Sequence, residues 1–269
     1  MDSTSGLPPV DHFSGPIEEE EAGGPPAWSV VAMHAVPAVG VLIFGWSIAL
    51  VLIFYWLENL VSVLIWNRAI RRHHDLTGMR GHYRNQIGVS SGKRPIEFFP
   101  SEYRSGPIFF TVGHGFFIAI LAFLILDGAE LESDLMWIGI LAAISIFLTW
   151  EELRPVVRDV EKRSFHWLRT QASRSVYQVW AMHAGVILGA WSLALDEGGF
   201  ILILIFIGLR IVADIFKNRP APRRSELRPP WFSIHLGQSD ESPEERRKRA
   251  MDDYQRQLAE DELPFRASE

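Results

Sequence analysis

Six ionisable side chains lie inside long apolar stretches of this sequence: His34, Glu58, His114, His183, Arg210 and Asp214. Glu58, followed by Asn59, interrupts "SIALVLIFYWLENLVSVLIW". His114 sits in "FFTVGHGFF", His183 in "VWAMHAGVILGAW", and Arg210 and Asp214 stand four apart in "IGLRIVADIF". A charged side chain in hydrocarbon costs roughly 2.5 to 3.5 kcal/mol on insertion scales, so such groups face a protein interior, a partner or a water-filled cavity. Three chemistries fit these residue types. Glu58 and Arg210 can pair while the histidines donate between helices, a network that only fixes packing at about 0.6 kcal/mol per hydrogen bond. Carboxylates and histidines in series can pass protons or line a solute path. Alternatively His34, His114 and His183 with Glu58 or Asp214 supply three nitrogens and a carboxylate, a donor set for zinc or iron, and hence a metal-dependent membrane enzyme. The metal reading lacks a tight His-x-x-x-His pair, and a catalytic site would also need an open coordination position reached by water.

The elements that would position these residues are apolar runs of membrane-crossing length: 28–44, 47–66, 107–126, 134–150, 175–195 and 199–216. They predict an all-α fold, a six-span transmembrane bundle over residues 28–217. The continuous run 28–66 is too long for one crossing, and "FGWS" at 44–47 makes a turn, so the first two spans form a hairpin. Eight Lys and Arg against three acids mark 67–105 as cytoplasmic, and 151–174 and 217–228 are basic too. The connections "DGAELESD" and "DEGG" carry no basic residue. Both termini are then cytoplasmic, as in a multi-pass protein of a prokaryotic inner membrane. At about 1.5 Å per residue, Glu58 lies roughly 12 Å from the inner end of its span. His34, His114, His183, Arg210 and Asp214 count to the same inner third, so Glu58 and Arg210 are expected to approach each other, either directly or through His114 or His183.

Outside the spans the sequence is polar. The first 27 residues contain "EEEE" and no Lys or Arg, which reads as a disordered acidic tail and not a signal peptide. With no Cys, neither disulfides nor thiolate metal sites are available. No phosphate-binding glycine loop or nucleophile elbow is present, and nothing points to nucleic acid at a net charge of -6. Trp46, Trp66, Trp137 and Trp150 near span ends read as interfacial anchors, and the basic loops as contacts for anionic lipids. His73, His74 and His82 read as a flexible basic loop or a surface metal site, and 156–174 as a helix on the inner membrane surface or a solvated connector. Residues 218–269 form a charged cytoplasmic tail with a helix near 243–262. Ser242, Pro243 and Glu245 make a capping-box start. Its narrow stripe of Met251, Tyr254 and Leu258 suits a solvated helix or docking to a cytoplasmic partner, a second copy or the protein's own loops.

The segments "PAVGVLIFGWSIALVLIFYWLEN", "FFTVGHGFF" and "VWAMHAGVILGAW" together resemble an uncharacterised family of prokaryotic polytopic membrane proteins, domain of unknown function 6498. The resemblance spans roughly residues 30–217 and rests on Trp46, Tyr55, Trp56, Glu58, Asn59, His114, Gly115 and His183. It implies a six-span membrane domain with a shared polar layer and no reaction. His34 departs from the family pattern, where an Asn is expected.

Overall fold

The computed structural model describes residues 27–46, 48–83, 99–125, 131–195, 199–217 and 242–265. The acidic tail before residue 27 and the two acidic connections lie mostly outside them, as do the residues between 218 and 241. All elements among the described residues are helical, apart from one isolated bridge pair. Six helices fall on the apolar runs: α1 (Ala27–Phe44), α2 (Ile48–Thr77), α3 (Phe99–Ile125), α4 (Leu131–Val157), α5 (Phe165–Leu195) and α6 (Gly199–Lys217). A seventh, α7 (Pro243–Asp261), starts at the anticipated cap: the Ser242 hydroxyl accepts from the Glu245 amide, and Glu245 accepts from the Ser242 amide. Two segments, Leu50–Thr77 and Met136–Lys162, are long and apolar enough to cross a membrane.

The α1–α2 hairpin forms as its composition requires. Gly45 takes a φ of 65°, open to glycine and strained for other residues, and the chain reverses between Phe44 and Ile48. Trp46 then folds back over Gly40, so close that a Cβ there would overlap its ring. Trp46 and Trp66 are therefore core residues, not membrane anchors, whereas Trp150 does face outward. The reasons are geometric: Trp46, beside the turn, reaches back across its own hairpin, and Trp66, in the middle of α2, packs into the second core.

α2 is the central helix, packed against α3, α4 and α5; α6 lies along α5, and α1 meets α4 and α6. One apolar core, including Val51, Phe54, Tyr55, Ile118 and Leu141, fills the half around the hairpin. A second core, including Trp66, Ile70, Phe99, Val160, Phe165 and Leu168, fills the other end. This second core corrects the sequence reading. α2, α4 and α5 run well past the apolar stretches, and a short 3-10 turn at Val160–Lys162 joins α4 to α5, so no separate surface helix occupies 156–174. Once packed against one another, the polar extensions bury enough apolar surface to stay helical beyond the limits that hydropathy alone draws.

Small residues set the α2–α3 distance. A Cβ on Gly115 would come 2.4 Å from the Trp56 ring, whereas one on Gly113 meets nothing within 4 Å. Gly115→Val is expected to destabilise the protein by about 1 to 3 kcal/mol, the usual cost of overpacking, with Gly113→Ala near neutral. Thermal unfolding in mild detergent would show the contrast. Equal effects at both positions would contradict this packing.

Candidate functional site

On α6, Arg210, Asp214 and Lys217 follow at i, i+4 and i+7, one face of the helix, and all three are buried. The opposite face shows Ile211, Val212 and Ile215 outward. The inward face meets Glu58 of α2: the Arg210 guanidinium donates to the Glu58 carboxylate, and both side chains are 1% exposed. The Arg210 guanidinium also stands 5.4 Å from the centre of the Tyr55 ring. Gln178 of α5 bridges the acids, its amide donating to Glu58 at 3.2 Å and to Asp214 at 2.9 Å. His34 of α1 brings Nε2 to 2.9 Å from Asp214 Oδ2, and Arg210 lies 3.8 Å from the other oxygen. Lys217 reaches across to Glu152 of α4 at 2.5 Å. Side chains from α1, α2, α4, α5 and α6 thus converge on one buried ionic cluster, in which three acidic side chains face an arginine, a lysine and one histidine.

The other layer residues lie beside this cluster on the α3 side. Asn59 donates to the Thr111 hydroxyl at 3.0 Å. His114 and His183 bond each other, Nε2 to Nδ1, at 2.5 Å. Their tautomers follow from the partners. A carbonyl only accepts, so His114 donates Nδ1–H to the Phe110 oxygen, 2.9 Å away, and its Nε2 accepts from His183 Nδ1–H. That leaves the lone pair on His183 Nε2. Phe110 packs 4.0 Å from the His114 ring, and Trp180 stands at right angles to His183.

The expected three-ligand metal set is not gathered. Glu58 is held by Arg210 and Gln178, while His114 and His183 bond each other, and among the described residues no three His, Asp or Glu side chains form a metal-binding group. His34, the least expected member, takes part in the cluster through Asp214. Lys217 pairs with Glu152 and not at the surface. Gln178 and Glu152 were not anticipated. Gln178 had a signal, as a polar residue five positions before His183 on the same helix; Glu152 had none, because it falls beyond the apolar run.

A second polar group occupies the other core. His73, on the extension of α2, and His82, in the 3-10 turn Arg80–Tyr83, are both fully buried, so the flexible-loop reading is corrected. His73 donates Nε2–H to the Arg163 carbonyl at 2.8 Å, and its Nδ1 accepts from His82 Nε2–H at 2.7 Å. Burial holds both imidazoles below their ordinary pKa, with the neighbouring histidines adding to the effect on His82, pushed down to about 2.

The model of a family of unknown function, DUF6498, matches residues 17–248 of this chain. No curated protein and no solved structure matches it.

Proposed function

The chain belongs to the DUF6498 family, and we propose that it is a six-span membrane protein that binds and passes protons through the Glu58–Arg210–Asp214 cluster. The observation that carries this reading is the charge count of the cluster. Three carboxylates and two cations leave one negative charge uncompensated in a low-dielectric interior, where an unpaired charge is costly. One added proton brings the group to neutrality, and Gln178 links Glu58 to Asp214. Groups that exchange one proton inside a bilayer are the parts of which relays are made.

The membrane setting is supported by the inversion of polarity across the fold. Leu42, Phe109, Phe116, Phe147, Ile187 and Ile215 point outward from five helices while the ionic groups point inward. Large apolar side chains exposed in such number mark an interaction or membrane surface. The basic residues gather at the end of the bundle where α2, α4 and α6 finish. With that end cytoplasmic, Arg68, Arg71, Arg104, Arg154 and Arg158 are exposed to anionic lipid headgroups, at about 1 kcal/mol each near the surface.

The test is reconstitution into liposomes loaded with a pH-sensitive dye, with a potassium diffusion potential imposed. Proton entry is expected above that of protein-free vesicles, and Glu58→Gln is expected to lower it at least tenfold. Flux no greater than in empty vesicles between about pH 5.5 and about pH 8 would overturn the reading and leave a structural network.

A further inference from the structure

Residues Leu258–Phe265 touch the bundle with four kinds of contact that peptide-recognition sites combine. The Glu262 carboxylate accepts from the amides of Phe165 and His166, each at 2.9 Å. These are first-turn donors of α5, a helix of 31 residues, and the positive end of its dipole favours an anion. The main chain pairs in β fashion: Arg80 N–H donates to the Leu263 carbonyl and Phe265 N–H to the Gly78 carbonyl, each at 2.7 Å. Met79 and Pro264 face each other between those bonds, where a residue's own N–H points away, so Pro264 loses nothing there. Phe265 stacks on Tyr83 with centroids 4.3 Å apart, and the Tyr83 hydroxyl is held by His74 at 3.0 Å. Asp261 is buried beside Leu258, and Arg169 of α5 lies in its field. Earlier in α7 the pattern differs: Pro243–Arg249 are exposed, so the tail is held by its end.

We propose that Gly78–Tyr83 with the first turn of α5 forms a recognition site for a short acidic peptide of the order Glu-x-Pro-Phe. The chain's own Glu262–Phe265 fills it as an exchangeable ligand. The tail's contacts there are one carboxylate, one backbone pair and one aromatic stack, together with the buried Leu258 and Asp261. The site also sits at the origin of α5. From Phe165 that helix runs about 20 Å to Gln178, which holds both Glu58 and Asp214, so tail release frees the end of the helix that organises the ionic cluster. This consequence rests on the proton-binding reading; the exchange itself does not.

The experiment uses the 269-residue chain, which has no cysteine, carrying Met79→Cys and Pro264→Cys. Facing residues of such a pair have Cα atoms about 4.5 Å apart, within disulfide range. Mild oxidation is expected to give a rapid intrachain cross-link. A millimolar synthetic peptide of residues Leu258–Phe265 should slow it at least fivefold, and the same peptide with Glu262→Gln should leave the rate within twofold. No slowing by the native peptide, or equal slowing by both, would overturn the proposal, as would cross-links formed only between chains. If the cysteine pair impairs folding, the dye-labelled native peptide is titrated into Glu262→Gln/Phe265→Ala and into the wild-type chain. Binding at least tenfold tighter to the variant is expected; equal binding would refute exchange.

Discussion

Arg210→Met is expected to destabilise the protein by about 3 to 5 kcal/mol, because it leaves Glu58 and Asp214 buried without the cation that faces both. Adding Glu58→Gln should recover part of that loss by removing a charge that no longer has a partner. Arg210→Lys should recover little, since a single ammonium cannot present the planar fork with which arginine serves two acceptors. Reversible unfolding in mixed detergent and dodecyl sulfate micelles would measure all three. If Arg210→Met costs less than about 1 kcal/mol, or if Glu58→Gln worsens it, the pairing at the centre of the site is wrong. The double variant also separates stability from function. It should fold without conducting protons, whereas a network with only a packing role would show no flux before or after mutation.

Acidification is expected to loosen the second core through His82. Its folded pKa, about 2, lies below the ordinary value of about 6.5, so between those two values the unfolded chain binds the extra proton and folding loses stability as pH falls. The contribution is fully present above about pH 6.5 and shrinks by about 1.4 kcal/mol per unit below it, or about 2 kcal/mol between about pH 7.5 and about pH 5. His73 has the same sign. Thermal midpoints across that range should fall for the wild type, and His82→Gln should flatten the dependence. Parallel curves for the two proteins would show that His82 does not titrate on unfolding. The neutral pair joins α2 to the turn before α5 through the Arg163 carbonyl, so its loss should appear first as protease sensitivity near the tail.

The all-helical class, the hairpin turn at Gly45 and the capped start of α7 were legible in the chain, because each depends on neighbours within a few residues. Apolar runs of helical length, a glycine at a reversal, and a serine three residues before a glutamate act locally. The approach of Glu58 to Arg210 was legible for a different reason: two opposite charges at one depth in apolar sequence have few other ways to be neutral. Which further groups join them was decided by packing. Successive residues on a helix turn by about 100°, so Gln178 reaches both carboxylates only because α5 is set with that side toward α2 and α6. The same setting brings His114 and His183 together.

The sequence by itself determined which ionisable residues stand inside apolar helical runs and so need partners in the interior. Only the tertiary structure decided that His73 and His82 belong to a core, and that a tail of polar composition returns to cap α5. Both depend on surfaces that exist only after α2, α4 and α5 have packed. Hydropathy measures the cost of exposing a residue, and it carries no information about the partner that a histidine or glutamate finds more than eighty residues away.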